Sequence, residues 1–275
     1  MRINLTKSMH TATAALFIAL FTLPTAAKAQ SEELLEIGDI KVTADNCNDL
    51  SVIKGVSGTV KYDPATKVLT LQNAMIDIEE GHGIYSEVKG LAIRLIGVNN
   101  LKAKKAAIGF REALVITGGG TLNAESLSDC AFYAIETNLT IDNCTVNAKS
   151  SMYGISGNSS TSENLTINHA TVTAEGTKRG SIRDFASLTL IGCNITKPAG
   201  AAFDTSLHGV VLNGEIVKTE VEITKDATAI ATPTAQTTAT AAQGNYTISG
   251  VRLSDELQNL SKGIYIVNGK KVVKQ

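Results

Sequence analysis

The strongest constraint on this chain is an internal repeat, clearest as LTIDNCTVNA at residues 139–148 and LTINHATVTA at residues 165–174. Four looser copies begin at Leu69, Leu91, Leu114 and Leu188. The six copies start 22 to 26 residues apart, a spacing typical of solenoid repeats. The chain is therefore expected to fold by stacking similar units, each of which covers the apolar side of its neighbour.

Apolar residues alternate within the copies, as in Leu139, Ile141 and Val146, and a period of two predicts β-strands. A further short apolar segment follows each copy, at Gly83, Ala107, Tyr133, Tyr153, Gly180 and Ala201. Each turn of the coil, here called a rung, thus holds about three strands. The sequence predicts an all-β, right-handed parallel β-helix of about six rungs, because crossovers between parallel strands are right-handed.

Residues 1–29 have the features of a secretory signal peptide: basic Arg2 and Lys7, a short apolar run, and the small-x-small pattern Ala27-Lys28-Ala29. Its removal leaves 22 Lys and Arg against 26 Asp and Glu, since three basic residues lie within it. This balance provides no basic field for nucleic acid. No later stretch is apolar enough for a transmembrane segment. We expect export through the inner membrane to a secreted or cell-surface location, with outer-membrane attachment as one alternative.

The mature chain divides into four predicted segments: an N-terminal cap at residues 30–68, the β-helix at 69–223, a Thr- and Ala-rich linker at 224–244, and a small β module at 245–275. In the cap, the polar residues 62–67 predict the turn of an antiparallel hairpin that covers the first rung. In the β module, Asn268-Gly269 predicts a second hairpin turn between GIYIV and KVVK.

The last 30 residues carry a specific sequence likeness. The segment from Tyr246 resembles the C-terminal sorting tail of proteins exported through the type IX system of the Bacteroidota. The matching residues are Ser249, Gly250, Arg252, Lys262, Gly263, Ile264, Tyr265, Asn268, Gly269, Lys270 and Lys271. The resemblance implies the export machinery as a partner. It indicates where the protein is sent and implies no activity.

The repeat region at residues 34–223 carries a second, broader likeness. Its YDPATKVLTLQNAMI entry and its repeated rungs look like β-helix proteins of gut and oral bacteria that are labelled carbohydrate-binding or adhesin-like. This resemblance implies a polysaccharide, or a host or bacterial surface glycan, as a partner. A non-enzymatic glycan-binding protein is therefore the function we expect. A polysaccharide lyase or hydrolase, or a protein-binding adhesin, is the alternative.

Catalytic residues are not predicted. Acid and base side chains are dense only at Lys178, Arg179, Arg183 and Asp184, whereas a glycoside hydrolase needs two carboxylates that face each other. The histidines, His82, His169 and His208, lack metal-ligand spacing and are expected at exposed turns, so we predict no metal and no cofactor.

Two groups are weak candidates for binding. Tyr85 follows Ile84 directly and should point outward, whereas Tyr133 and Tyr153 should stack on each other with the parity of inward residues. The second group is basic and could meet an acidic polysaccharide: Lys89, Arg94, Lys102, Lys104, Lys105 and Arg111. A solvated charged face is the alternative interpretation of that group.

The four cysteines do not predict a disulfide framework. Cys144 and Cys193 occupy equivalent repeat positions two rungs apart, roughly 9.6 Å, which exceeds the ~7 Å that a disulfide allows between Cα atoms. Both are expected to be small buried residues. The state of Cys47 and Cys130 is left open.

Overall fold

The structure is a computed structural model that describes residues 33–158, 162–226, 245–247, 250–254, 259–268 and 270–275. The predicted signal peptide lies outside these residues, as does the predicted linker apart from residues 224–226. The described residues belong to two compact units, one ending at Asp226 and one formed by the residues from 245 onward.

The first unit is built almost entirely of short strands. The chain begins with β1 (Leu35–Ile37), β2 (Ile40–Lys41), a 3-10 helix (Leu50–Val52), β3 (Val56–Asp63) and β4 (Val68–Ile78). The rungs then contain β5 (Ile84–Ser86), β6 (Ala92–Ile96), β7 (Val98–Ala103), β8 (Ile108–Phe110), β9 (Leu114–Thr117), β10 (Thr121–Ser126), β11 (Cys130–Ala134), β12 (Leu139–Asp142), β13 (Thr145–Ser150), β14 (Tyr153–Ser156), β15 (Asn164–Asn168), β16 (Thr171–Gly176), β17 (Gly180–Arg183) and β18 (Ser187–Ile191). Five further strands end the unit: β19 (Cys193–Lys197), β20 (Ala202–Asp204), β21 (Gly209–Leu212), β22 (Glu215–Ile216) and β23 (Val221–Lys225).

The rungs stack into three parallel faces. Face 1 consists of the first half of β4 with β6, β9, β12, β15 and β18. Face 2 consists of the second half of β4 with β7, β10, β13 and β16. Face 3 consists of β5, β8, β11, β14 and β17. The chain is therefore an all-β parallel β-helix, as the repeat predicts, with about five turns where six were expected.

The core consists of columns of equivalent apolar residues. On face 1, Leu139 lies opposite Leu165 and Ile141 lies opposite Ile167, and all four are completely buried. Each such side chain stabilises the fold by roughly 1.5–3 kcal/mol through its removal from water. The two clearest copies of the repeat therefore form the scaffold, and their inward side chains at equivalent positions fill the interior.

On face 1, the first copy of the repeat is shifted by two residues relative to the others. Leu69 lies opposite Ile93, whereas alignment of the copies by sequence places it opposite Leu91. A shift of two preserves which side chains point inward, because strand side chains alternate with a period of two. The core is therefore intact although the sequence alignment of this copy is wrong.

A left-handed residue turns the chain between faces 1 and 2 in most rungs. These corner residues are Asn73, Gly97, Asn143, His169 and Gly192, with φ between 45° and 66°. A Cβ on Gly97 would lie 2.0 Å from Asn73 Oδ1, and one on Gly192 would lie 2.6 Å from His169 Nε2. At Gly97 and Gly192 a side chain is therefore excluded, because the preceding corner residue occupies the space of its Cβ.

The N-terminal end is closed by the antiparallel hairpin that the sequence predicts. β3 pairs with β4, and the turn between them is held by Asp63, whose carboxylate accepts hydrogen bonds from the Ala65 amide (2.9 Å) and the Thr66 hydroxyl (2.7 Å). β1 pairs antiparallel with β5 and covers the first strand of face 3. The outer edges of β4 and β5, the first parallel strands of the three faces, are therefore paired.

The C-terminal end differs from the stack that six equal rungs would give. β18 extends face 1 in parallel, but β23 lies between β16 and β19 and is antiparallel to both. On face 3, β21 pairs antiparallel with β17, and β20 and β22 pair with β21. The sixth copy thus contributes one strand to the parallel stack, and antiparallel strands end faces 2 and 3.

All four cysteines are free and buried. Cys144 and Cys193 lie in their expected interior slot, and burial raises the pKa of the Cys144 thiol to about 12. The prediction that these two residues are small buried side chains is confirmed. Cys47 and Cys130, which the sequence left undecided, are also free thiols.

The second unit contains a four-stranded antiparallel sheet. Its strands are β24 (Asn245–Thr247), β25 (Arg252–Leu253), β26 (Gly263–Val267) and β27 (Lys270–Lys274), in the order β25-β24-β26-β27. β26 and β27 form the predicted hairpin, with Asn268 left-handed at its turn. β25 was not predicted, and Ser249 and Gly269 of the sorting-tail likeness lie outside the described residues.

Candidate functional site

The outward side of face 3 carries the candidate site. Tyr85 is the middle residue of β5, between the buried residues Ile84 and Ser86, so its ring points outward as its position predicts. Across the strands, Tyr85 lies opposite Gly109, and Gly109 lies opposite Tyr133. Two partly exposed tyrosines are therefore separated by one glycine along the axis of the solenoid.

The expected stacking of Tyr133 on Tyr153 is wrong. Tyr133 lies opposite Ser156, and Tyr153 lies opposite Cys130. The alignment failed because Phe132 is the inward residue of β11, and this strand ends at Ala134. Tyr133 consequently points outward and shares a column with Tyr85.

The rings of His82 and Tyr85 flank the backbone of Gly109, and the surface between them is here called the notch. A Cβ at Gly109 would lie 3.4 Å from Tyr85 Cδ2 and 3.6 Å from His82 Nδ1, so both rings line the space above this residue. The two ring centroids are 5.6 Å apart and the ring planes are tilted by 40°. The base of the notch is therefore the backbone of Gly109, and its sides are the rings of Tyr85 and His82.

A charged pair fixes the orientation of Tyr85. Arg111 Nε donates a hydrogen bond to Tyr85 Oη (2.9 Å), and Tyr85 Oη donates one to Glu87 Oε1 (2.7 Å). Arg111 Nε also lies 3.6 Å from Glu87 Oε1. Burial and the hydrogen bond to Glu87 raise the pKa of Tyr85, and the Tyr85 hydroxyl raises the pKa of Arg111. The phenol therefore stays protonated and the guanidinium charged at neutral pH.

His82 has an unpaired polar atom at the edge of the notch. Its Nδ1 is buried and has no hydrogen-bond partner among the described residues. Burial and the nearby ammonium of Lys105 lower the pKa of His82, so its ring is neutral at pH 7. The expectation that this histidine is an exposed turn residue is wrong, because its ring packs beside Tyr85. This nitrogen is thus an unpaired polar atom below the surface, and a ligand would contact it only after a turn of the His82 ring.

Tyr133 bounds the site on the side of the next rung. Its hydroxyl donates to Asn158 Oδ1 (2.5 Å), and the backbone N–H of Asn158 donates to Glu163 Oε1 (3.1 Å). Glu163 is completely buried, and its second oxygen accepts from the Ser162 amide (3.2 Å). A buried carboxylate thus anchors the residue that holds the second tyrosine.

The structure distributes the basic candidates over the whole circumference. Arg94 points outward on face 1 and Lys102 on face 2. Lys104 and Lys105 follow β7 at the corner that leads to face 3, and Lys89 lies in the turn after β5. Of these basic residues, Arg111 contacts Tyr85 directly, and the ammonium of Lys105 lowers the pKa of His82. Because one rung wraps its residues around the axis, closeness in sequence does not produce a single basic groove.

The acid and base neighbourhood near Arg183 is paired internally. Arg183 Nε lies 3.3 Å from Asp184 Oδ1 without hydrogen-bond geometry, and Arg183 Nη1 donates to the Arg179 carbonyl (2.9 Å). Asp204 accepts from the amides of Ser206 and Leu207 and so holds a turn. Within the described ranges, no group of three His, Cys, Asp or Glu is placed to hold a metal ion.

Comparisons with protein families, with curated proteins and with solved structures find no match for this chain. No helix among the described residues has the length and apolar character needed to cross a membrane.

Proposed function

We propose that this protein binds a glycan without acting on it, and that one sugar residue occupies the notch over Gly109. The observation that carries the proposal is the outward Tyr85 ring, held by Arg111 and Glu87 beside the unpartnered His82 Nδ1. An apolar face of a pyranose stacks on an aromatic ring, and its hydroxyls require a few well-placed polar groups. The Tyr85 ring offers the apolar contact, and the exposed side chains of Arg111 and Glu87 beside it offer the polar contacts.

A glycan array screened with the full chain identifies the ligand, and variants then locate the site. Gly109→Ala is the sharpest variant, because its φ is not left-handed and its Cβ would form ordinary contacts while filling the notch. We expect at least a tenfold loss of affinity with an unchanged melting temperature. Arg111→Ala should weaken binding, whereas the matched control Arg94→Ala on face 1 should not.

Four outcomes would contradict this proposal. Retention of no glycan on the array, or full affinity in both Gly109→Ala and Tyr85→Ala, would remove the notch as a sugar site. Release of unsaturated or reducing sugars from a bound polysaccharide would show that the protein is an enzyme. Binding to a surface protein that persists after deglycosylation would favour a protein-binding adhesin.

We also propose that the protein is exported and displayed outside the cell. The support is the signal-peptide pattern of residues 1–29 and the sorting-tail likeness, carried among the described residues by Gly250, Arg252, Lys262, Gly263, Tyr265, Asn268, Lys270 and Lys271. Deletion of residues 245–275 should leave the protein inside the outer membrane. Equal surface display of the full and shortened chains, measured by protease accessibility on intact cells, would contradict a sorting role.

A further inference from the structure

The outward side of face 2 carries a groove, which is distinct from the notch on face 3. A depression of ≈ 370 Å³ runs across β4, β7, β10 and β13. A second depression of ≈ 190 Å³ continues over β16 and shares Asn147 and Lys149 with the first. The two together follow the solenoid axis across face 2.

One column of this groove is a chain of amide side chains. Asn123 Nδ2 donates to Asn100 Oδ1 (2.8 Å), Asn147 Nδ2 donates to Asn123 Oδ1 (2.8 Å), and Thr173 Oγ1 donates to Asn147 Oδ1 (2.5 Å). A primary amide has two N–H groups and two lone pairs on oxygen. Asn123 therefore keeps one donor and one acceptor for a ligand, and its hydrogen bonds hold the amide plane in place.

The neighbouring column alternates in charge. Its members lie opposite one another on successive strands, in the order Asp77, Lys102, Glu125, Lys149 and Glu175. Lys149 Nζ forms an ion pair with Glu175 Oε2 at 3.3 Å. The three carboxylates and two ammonium groups of this column nearly cancel, and Glu220 adds a negative charge to the second depression. This groove therefore offers no field that would attract a polyanion.

We propose that the groove of face 2 binds a neutral, linear glycan whose chain runs along the solenoid axis. The amide column presents a donor and an acceptor on each of the three strands β7, β10 and β13, and strands repeat every ~4.8 Å, a distance similar to the length of one pyranose residue. The alternating charges form hydrogen bonds with hydroxyls without selecting a charged ligand. The class of ligand in this proposal rests on the proposed glycan-binding function. The position of the site rests on the residues of face 2 alone.

Affinity electrophoresis of the full chain tests the site, with soluble β-glucan, mannan and xylan as neutral probes and polygalacturonate as the polyanion. Asn123→Ala should reduce retention by a neutral polymer at least fivefold. The matched control is Asn168→Ala, which removes an amide of the same kind on face 1, where Asn168 Nδ2 donates to Asp142 Oδ1 (2.7 Å). The control should lower stability similarly and leave retention unchanged.

A charge variant gives a second readout. Glu125→Lys would place three ammonium groups in a row with Lys102 and Lys149, and should create retention by polygalacturonate that the natural chain lacks. Equal retention of Asn123→Ala and Asn168→Ala would overturn the face 2 site. Loss of neutral-polymer binding in Gly109→Ala but not in Asn123→Ala would assign all binding to the notch and refute this inference alone. Binding of no polymer by any variant would refute both proposals.

Discussion

The fifth and sixth copies of the repeat have similar sequences, but their second strands pair differently. In residues 165–174 both strands, β15 and β16, stack in parallel on the preceding rung. In residues 188–197 the first strand, β18, stacks in parallel, but β19 is separated from β16 by the antiparallel strand β23. The repeat pattern therefore specifies a strand and its inward side, and it does not specify the partner of that strand.

The residues that replace the missing rung explain the difference. Val221 and Ile223 of β23 are completely buried above Ala174 and Val172, where the sixth copy would otherwise lie. Ile195 of β19 is only partly buried beyond them. The parallel stack of face 2 therefore ends at β16, because β23 covers it in antiparallel orientation and leaves β19 as the edge strand.

Truncation of equivalent leucines should give the largest contrast between the two copies. Leu165 and Leu188 lie opposite each other, but Leu165 is completely buried and Leu188 is partly exposed. We expect Leu165→Ala to lower the free energy of unfolding by about 3 kcal/mol and Leu188→Ala by about half of this. Urea denaturation of the two variants measures both values. Equal losses would show that the end of the stack is as tightly packed as its middle.

Corner glycines should give the next largest effect. Gly192 has φ of 58° between β18 and β19, and an added Cβ would meet the ring of His169. Gly214 has φ of 83° at an exposed turn with no neighbour within 4 Å of its Cβ position. Both alanine variants place a side chain in the left-handed region, at a cost of about 1 kcal/mol, and Gly192→Ala must also displace His169. Thermal unfolding should rank Gly192→Ala as the less stable; the reverse order would remove corner contact as a constraint.

Acid should weaken the ends of the solenoid before its middle. The Thr66 hydroxyl lowers the pKa of Asp63 at the N-terminal turn, and the ammonium of Lys197 lowers the pKa of Glu222 in β23. A carboxyl group with a depressed folded pKa stabilises the fold above its unfolded pKa and loses this contribution as the pH falls through the folded value. Hydrogen-exchange protection factors at pH 3 and pH 6 should therefore fall most in β3 and β23. A uniform fall along all rungs would contradict this local effect.

Thiol labelling should give the smallest contrast. Burial raises the pKa of both Cys144 and Cys193, which suppresses the reactive thiolate in the folded protein. In variants that retain one cysteine each, both should react far more slowly at pH 8 than in urea. Cys193 should react first, because β19 lies at the end of the stack. Faster labelling of Cys144 would indicate that the middle rungs open before the end.

Features that depend on neighbouring residues could be predicted from the sequence. The hairpins at residues 62–67 and at Asn268 follow from turn-forming residues between two alternating segments. The two best repeat copies predicted which side chains fill the core. The outward position of Tyr85 followed from its parity to Ile84.

The rest of the candidate site could not be predicted, because its contacts cross from rung to rung. Arg111 meets Tyr85 across 26 residues, and His82 meets the space over Gly109 across 27. The exact register between strands decides these contacts, and an error of one residue reverses the side on which a residue lies. That error placed Tyr133 in the core. The antiparallel strands β21 and β23 were missed because they are not copies of the repeat.

The sequence by itself determined that this chain forms a stack of short strands with a Leu, Ile and Val interior, because alternation and a repeat of 22 to 26 residues are readable without coordinates. Only the tertiary structure decided which outward residues share a column, where the parallel stack ends, and that Tyr85, Arg111 and His82 meet around Gly109. The physical reason is that each strand fixes its own two sides locally, whereas the position of one rung over another is set by packing along the whole solenoid.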